Sequence, residues 1–313
     1  MGNEFQLIST DAQRALEEFS MEFAAALTQP GVAPWARNLG LARVSRALKT
    51  SYPIPVSAAG YLEFKGDVKY RSLFEKAIEL TPKTWQDGVA ELASIIEAPD
   101  FVGWTGQPEA MAAAAMSLPN EIIAGLLEAN ATQDFDGVGF FSNSHPINIF
   151  DDSVGTFDNL DINGAVSVLG LTNAKNHFRS ILAPNGKPLG LRLTHIMVPP
   201  ELEETARDLL EQDMLIQTVG SSFGAIPNRH KGTVELVVCD ELTNATQWYG
   251  LALNKPGMYP WIVQDEGTPE RIVSDKTSHL YASTLKVGVA YILRGNGGLA
   301  LPHCMVRMDG SDA

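Results

Sequence analysis

Cysteine, positive charge and long apolar runs are all scarce in this sequence of 313 residues. The two cysteines, Cys239 and Cys304, lie far apart and match no metal-ligand spacing, so we expect a reducing compartment and no disulfide framework. Lys and Arg total 23 against 37 Asp and Glu, which gives a formal net charge of −14. A dedicated DNA- or RNA-binding surface is not expected, because neutralising phosphates requires clustered cations. No apolar run reaches the roughly 18 residues of a transmembrane helix, so we expect none.

Catalytic motifs are missing as well. The sequence has no HExxH, GxSxG, P-loop or CxxC pattern, and the pair Gly137 and Gly139 lacks the third glycine of a dinucleotide fingerprint. The six histidines are scattered along the chain, at His145, His177, His195, His230, His279 and His303. His195 lies among apolar neighbours, where a core residue is expected, and neither cysteine has an obvious activating histidine. We therefore expect no catalytic, cofactor-binding or metal-binding residues and no enzymatic activity.

The densest polar cluster surrounds His145 and contains Asp134, Asp136, Asp151 and Asp152. A metal site would need these side chains to converge as ligands in a folded loop. The alternative is a turn in which the aspartate side chains accept hydrogen bonds from their own backbone. We favour the turn.

The composition is that of a folded chain, with 45% hydrophobic and 19% charged residues, and the length allows one large domain or two modest ones. Thr10 and Gln13 fit a capping box, and apolar residues from Leu16 to Leu27 recur at helical spacing. This pattern predicts an amphipathic helix over about 10–28. Residues 51–73 alternate apolar and polar side chains between glycines, which predicts an extended hairpin that lies on a neighbouring surface.

Three further helices are predicted. Trp85, Val89, Leu92 and Ile96 give an apolar face over about 82–97. The second helix covers about 108–133, where Pro119 should introduce a kink or a new start because proline has no N–H to donate. The third covers about 164–182, between a loop and the best-defined strand of the sequence.

A β-α-β unit is the clearest local pattern. Residues 191–198 predict a strand, Pro199-Pro200 ends it and starts a helix, and residues 234–240 predict a second strand after a glycine-containing loop. Near the C-terminus, residues 287–294 predict another strand, and the glycines of 295–298 should end it. The parts of the sheet are therefore far apart in sequence.

Basic residues concentrate in one short segment near the N-terminus. Residues 30–50 contain Arg37, Arg43, Arg46 and Lys49, and Arg14 is close in sequence. A solvated or partner-facing segment is the interpretation we favour, and contact with nucleic acid is the alternative.

Three blocks of sequence together carry a family resemblance. The first runs from Pro119-Asn120-Glu121-Ile122-Ile123 through Asp136-Gly137 and Phe140-Phe141 to His145-Pro146. The second joins Leu189-Gly190-Leu191, Thr194-His195-Ile196-Met197-Val198-Pro199 and Leu202-Glu203, and the third joins Gly232-Thr233-Val234-Glu235-Leu236-Val237-Val238 to Leu242. In this order and spacing, over about 119–242, the chain resembles the major head subunit of Mu-like bacteriophages.

The resemblance implies an α+β chain with the Hong Kong 97-type capsid fold. On that basis 1–50 would be an N-terminal arm, 51–80 the E-loop hairpin and 81–149 a peripheral domain with its spine helix at Pro108–Thr132. Residues 150–262 would form the axial domain, and 263–313 would return to the peripheral domain and end in a tail. The arm and hairpin would gain stability by lying across neighbouring subunits.

The resemblance also implies a function and a set of partners. The chain would be the major capsid protein of a Mu-like phage or prophage, and hexamers and pentamers of it would form an icosahedral shell that encloses dsDNA without reading its sequence. A separate scaffolding protein, a portal protein and a possible decoration protein would be partners, with no membrane involved. Assembly would take place in the bacterial host cytoplasm, and the product would be the virion. An encapsulin-like compartment shell and a soluble α/β enzyme with an unseen site are the alternatives.

Overall fold

The computed structural model of the chain describes residues 4–28, 34–53, 77–98, 100–132, 136–148, 155–161, 164–184, 186–219 and 222–310. Within these ranges the α-helices are α1 (Glu4–Ala26), α2 (Trp35–Leu39), α3 (Ala93–Ile96), α4 (Gln107–Glu128), α5 (Val168–Ser180), α6 (Glu203–Glu211) and α7 (His279–Thr284). The strands are β1 (Leu41–Val44), β2 (Thr50–Pro53), β3 (Ala77–Leu80), β4 (Lys83–Leu92), β5 (His145–Pro146), β6 (Thr156–Phe157), β7 (Leu160–Asp161), β8 (His195–Val198), β9 (Met214–Val219), β10 (Ser222–Pro227), β11 (Glu235–Val238), β12 (Trp248–Leu251), β13 (Trp261–Asp265), β14 (Glu270–Ser274), β15 (Lys286–Leu299) and β16 (Met305–Met308).

The long strand β15 organises the first sheet. One edge of β15 pairs with β4 in antiparallel register, and the other edge pairs first with β14 and then with β13. Strand β1 adds to β13 in parallel. Helices α1 and α4 pack on this sheet, so elements from both ends of the chain meet in one unit.

The second sheet has the strand order β11-β8-β12-β16-β7. Strands β8 and β11 are parallel and are connected through α6, which confirms the predicted β-α-β unit. Helices α5 and α6 cover one face of the sheet through residues such as Phe178 and Leu209. The other face, which includes Tyr249 and Met305, packs against α2, α4 and the first sheet. The second sheet is therefore a buried layer between two sets of elements.

The prediction of a helix over 82–97 is wrong for most of that range. Residues 83–92 form β4, and only Ala93–Ile96 are helical. Trp85 and Val89 are four residues apart, which suits one face of a helix and equally one face of a strand. Pairing with β15, from Lys83↔Gly295 to Leu92↔Lys286, decides the outcome through a partner that is remote in sequence.

The glycines of 295–298 do not end the C-terminal strand as predicted. Strand β15 runs through them to Leu299, because small residues are needed where other side chains approach the sheet. A Cβ on Gly297 would lie 2.7 Å from Cδ1 of Ile123, and one on Gly298 would meet Leu80. These glycines therefore make room for α4 and β3 against the strand.

The N-terminal helix begins earlier than predicted, at Glu4, so Thr10 and Gln13 lie within it and form no capping box. Helix α4 also continues through Pro119 without a new start, while its described bounds agree closely with the predicted spine helix. Helix α5 matches the third predicted helix and is capped by Ser167, whose Oγ accepts a hydrogen bond from the Gly170 N–H. Most of the hairpin predicted over 51–73 lies outside the described residues.

Helix α4 is the one described helix that is long and apolar enough to cross a membrane by length and composition alone. The same test is passed by core helices. Here Ile123, Ala124 and Leu127 are buried against the aromatic residues of the core, so packing accounts for the apolar composition.

Candidate assembly surfaces

The apolar stripe of α1 finds its partner inside the same chain. Leu16, Phe19 and Phe23 are buried against α4 and β15. The Phe23 ring stacks on Tyr291 with centroids 3.7 Å apart, and Phe19 meets Trp104 edge to face at 5.7 Å. The expectation that this helix needs a neighbouring subunit to cover its stripe is therefore wrong for its described side chains. Glutamates on the opposite side of α1 stay exposed.

A hydrogen-bonded joint connects α2, α4 and the turn after β11. The Nε1–H of Trp35 donates to Oε2 of Glu241 at 2.9 Å, and Nδ2 of Asn120 donates to Oε1 of the same carboxylate at 2.9 Å. The Ala36 N–H donates to Oδ1 of Asn120 at 3.1 Å, and the Nε1–H of Trp261 donates to the Ala36 carbonyl at 2.7 Å. Because Asn120 is buried, these bonds satisfy groups that would be costly to leave unpaired. The joint fixes the N-terminal region on both sheets.

A second set of contacts joins the residues on either side of 54–76. Strands β2 and β3 pair in antiparallel register, from Thr50↔Leu80 to Pro53↔Ala77. The Tyr52 hydroxyl donates to Oε1 of Gln264 at 2.9 Å, which ties this pair to the first sheet. Pro53 and Ala77 are therefore held side by side, as the base of a hairpin would require.

The described part of the basic segment, residues 34–50, is exposed at and after β1, where it also carries exposed apolar side chains. Arg43 and Arg46 are exposed, Val44 is 73% exposed and Leu48 is 88% exposed. Arg37 differs, since its guanidinium pairs with the mostly buried Asp265 at 2.8 Å. Lys49 pairs with Glu79 at 2.6 Å. The mixture of cations and bare apolar side chains fits a partner-facing segment better than a solvated one.

His145 forms a buried structural link and belongs to no metal cluster among the described residues. Its Nδ1 lies 2.7 Å from Oδ2 of Asp136, and its Nε2 lies 3.0 Å from the Phe140 carbonyl. The Phe140 carbonyl can only accept, so Nε2 donates to it, and the Asp136 carboxylate fixes the other side of the ring. Oδ1 of Asp136 also accepts from the Val138 N–H, as the turn interpretation predicted. Asp134, Asp151 and Asp152 lie outside the described residues.

A second buried histidine, His303, lies beyond the ring of Phe157. Burial, aided by the nearby charge of His145, lowers the pKa of His303 to about 3. Neither of its ring nitrogens has a hydrogen-bond partner among the described residues. Burial also raises the pKa of the thiols of Cys239 and Cys304, so both are inert core residues.

The other histidines do not converge. His195 begins β8 and is half-buried rather than fully inside, with its Nε2 3.1 Å from Oε2 of Glu235. His230 accepts at Nδ1 from Nζ of Lys175 at 3.0 Å, and Nζ also donates to Oγ1 of Thr233. Burial lowers the pKa of Lys175, with Arg179 adding to the effect. These contacts tie α5 to the loop before β11.

Sequence patterns had not indicated the joint of Trp35, Asn120 and Glu241 or the Arg37–Asp265 pair. Each depends on residues that are remote in the sequence and ordinary in type. A lone tryptophan after Pro34, in a segment otherwise rich in charge, was the only local signal for the joint.

An apolar groove of about 270 Å³ opens beside the end of α1. Phe23, Leu118 and Tyr291 line it together with the acidic residues Asp87 and Glu121.

Two family models match the sequence. The model described as phage capsid protein matches residues 92–306, and the model described as Mu-like prophage major head subunit gpT matches residues 13–168. No curated protein matches the sequence. The resemblance inferred from residues 119–242 is thereby confirmed.

Solved structures support the same fold. The procapsid protein of bacteriophage JBD30 is similar with a TM-score of 0.51 and 17% identity, over 96% of this chain and 74% of that one. The capsid protein of cyanophage P-SCSP1u is similar with a TM-score of 0.51 and 9% identity, over 88% of this chain and 87% of that one. An encapsulin from Synechococcus elongatus is less similar, with a TM-score of 0.47 and 10% identity, over 90% of this chain and 88% of that one. The predicted Hong Kong 97-type fold is confirmed by the two phage structures.

Proposed function

The chain belongs to the phage capsid protein family, and from that membership we propose how its parts build a shell. It is a major capsid protein of the virion, and copies of it associate into a shell. The family is structural, and we propose that the chain catalyses no reaction. Hexamers and pentamers, repeated with the same contacts, would close the shell into an icosahedron.

The proposed parts of the capsid subunit follow one another along the chain. Residues 1–50 are the arm, 51–80 the E-loop hairpin, and 81–149 the peripheral domain around α4. Residues 150–262 are the axial domain, and 263–313 return to the peripheral domain and end in the tail. Strand β16, near the end of the last proposed part, pairs with β12 of the proposed axial domain.

Two described features support this arrangement. The paired strands β2 and β3 give the E-loop a rigid base from which it can reach a neighbouring copy. The exposed apolar side chains of Val44 and Leu48 lie close in sequence to that base, where a neighbour would cover them. Contacts of modest area, repeated in every copy, give a closed assembly high stability.

The enclosed polymer is proposed to be dsDNA, held without sequence recognition. The net charge of −14 suits a wall that confines DNA without binding it tightly. A scaffolding protein, a portal and a possible decoration protein are the proposed partners, and the host cytoplasm is the proposed place of assembly. Finding a strongly basic inner surface in the assembled shell would contradict the charge argument.

The match of a capsid family model over residues 92–306 carries this proposal. The test is electron microscopy of the full chain produced in bacteria, with and without the other head proteins of its phage. Regular shells built of rings of five and six copies, with nuclease-protected dsDNA in complete particles, are expected. Regular shells that hold a protein cargo through a bound peptide would favour the encapsulin-like alternative. A compact monomer that never assembles would contradict both.

A further inference from the structure

Basic side chains gather where α5 faces the loop before β11. Nζ of Lys175, in α5, donates to Nδ1 of His230 at 3.0 Å and to Oγ1 of Thr233 at 2.8 Å. Arg179 lies one turn further along the same helix and is exposed, while Lys175 and His230 are half-buried. Burial lowers the pKa of Lys175 and the nearby charge of Arg179 adds to the effect, and burial and Lys175 lower the pKa of His230. Lys175, Arg179 and His230 therefore form a basic cluster held together by the fold.

No described carboxylate balances the basic cluster. None of its three members forms an ion pair among the described residues, whereas Lys231, next to His230 in the chain, pairs with Asp213 at 2.5 Å. Acidic residues outnumber basic ones by 37 to 23 in this sequence, and even so none of the described ones pairs with the cluster. Holding like charges close together costs free energy, and an anion bound at the same place would offset that cost.

The basic cluster also has unused hydrogen-bond donors. An ammonium group has three N–H donors, and Lys175 uses two of them on His230 and Thr233. Because Nδ1 of His230 accepts, the neutral ring carries its hydrogen on Nε2, which has no partner among the described residues. The guanidinium of Arg179 has no hydrogen-bond partner among them either. Each of the three side chains therefore has a donor available for a group from outside the chain.

The loop that carries His230 is fixed by its own hydrogen bonds. Nδ2 of Asn228 donates to the carbonyls of Leu209 and Gln212, at 2.8 Å each, and Oδ1 of Asn228 accepts from the His230 N–H at 2.8 Å. Oγ1 of Thr233 donates to the His230 carbonyl at 2.8 Å. A site whose backbone is already ordered loses little conformational entropy when a ligand binds.

We propose that the basic cluster of Lys175, Arg179 and His230 binds a phosphate group. Donors that reach in from two elements suit a group with oxygens on several sides better than a flat carboxylate, and arginine in particular matches phosphate with its planar fork of N–H groups. The phosphate is either a free anion or part of a DNA backbone. Contact with a backbone phosphate positions DNA and reads no sequence, so the site agrees with the proposed function without depending on it.

The test is a titration of the full chain with inorganic phosphate at low ionic strength, followed through the ring signals of His230 in nuclear magnetic resonance spectra. We expect saturable binding and a higher pKa of His230 when phosphate is present, because a bound anion stabilises the protonated ring. Arg179→Gln changes an exposed side chain and should weaken binding about tenfold, and Lys175→Met should weaken it at least as much. Circular dichroism checks that each variant is folded.

Lys231→Gln is the matched control. It removes the same charge from the loop of the basic cluster, but Lys231 pairs with Asp213, so phosphate should bind this variant within about twofold of the unchanged chain. Equal binding by Arg179→Gln and the unchanged chain would overturn the inference, as would the lack of any saturable binding of phosphate.

Two further probes identify the ligand. Acetate, a carboxylate, should bind at least about tenfold more weakly than phosphate, and equal binding would overturn the choice of phosphate. If a duplex oligonucleotide competes with inorganic phosphate, the site holds the DNA backbone, and if it does not, the site holds the free anion. Binding is measured whether or not the chain assembles, so a failure to form shells would contradict only the proposed function.

Discussion

Helix α1 and the β9–β10 hairpin are two apolar segments with opposite relations to the rest of the chain. In α1 the apolar residues form one stripe, and Leu16, Phe19 and Phe23 are buried within the subunit. In the hairpin the whole segment lacks charge, yet its strands pair only with each other among the described residues. The apolar face of α1 is buried within the folded chain, whereas the uncharged hairpin adds to neither five-stranded sheet.

This comparison reverses part of the expectation from sequence. The sequence predicts that the N-terminal arm lies across neighbours and that a loop covers 220–232, where the structure has β10. The reversal has a simple cause. The groove between α4 and β15 offers Met111, Val289 and Tyr291 as partners for the stripe, and this groove forms only when the two ends of the chain meet.

The largest expected effect is in α1. Phe19→Ala removes a fully buried ring and should lower the free energy of unfolding of the subunit by about 3–5 kcal/mol. Met21→Ala, on the exposed side of the same helix, is the matched control and should change it by less than about 0.5 kcal/mol. Urea unfolding of the unassembled subunit measures both. Equal, small effects would mean that α1 is not part of the subunit core, and the comparison would fail.

A smaller effect on stability is expected at His303, which lies just before β16. The pKa of His303 is about 3 in the folded chain, below the roughly 6.5 of an unfolded histidine. Between these values only the unfolded chain binds the proton, so stability falls as the pH is lowered through that window. From pH 7 to pH 5 the loss from this residue should be about 2 kcal/mol.

His303→Phe should remove that part of the pH dependence, since phenylalanine does not titrate and no hydrogen bond of the described residues is lost. Denaturant unfolding at the two pH values measures the difference between the variant and the unchanged chain. Hydrogen exchange should also rise at pH 5 around β12 and β16 before it rises in α1. If the free energy of unfolding of the variant depended on pH as strongly as that of the unchanged chain, the lowered pKa of His303 would be contradicted.

The smallest expected effect is in the hairpin. Ala225→Glu should change the free energy of unfolding of the unassembled subunit by less than about 0.5 kcal/mol, because the side chain is exposed there. Thermal unfolding at a concentration that prevents assembly is the measurement. A loss of several kcal/mol would mean that the hairpin is already covered within the subunit, which would erase the contrast with α1.

Local patterns predicted the elements whose partners are near in sequence or whose length makes them unambiguous. Helix α4 and the β8–α6–β11 unit are such cases, since an apolar helical repeat or a Pro-Pro pair at a strand end leaves few alternatives. Strand β4 was misjudged because Trp85 and Val89 fit a helix face equally well. Its partner β15 is distant in the chain, and no local pattern reveals that pairing.

The contacts of the assembly surfaces were predicted only in outline. Asp136 was expected to accept hydrogen bonds from its own backbone in a turn, and the structure adds a buried contact of 2.7 Å between its Oδ2 and Nδ1 of His145. The joint at Glu241 depends on Trp35 and Asn120, three ordinary residues that only the fold brings together. The absence of charge from Met214 to Pro227 is visible in the sequence, but only the structure shows that this segment pairs with no other described strand.

Cryo-electron microscopy of the assembled particle tests the central claim most directly. The account predicts a closed shell of identical copies, in each of which α1 is packed on its own α4. A solitary folded chain at high protein concentration, or a shell in which α1 leaves its own α4 and lies on a neighbouring copy, would contradict it.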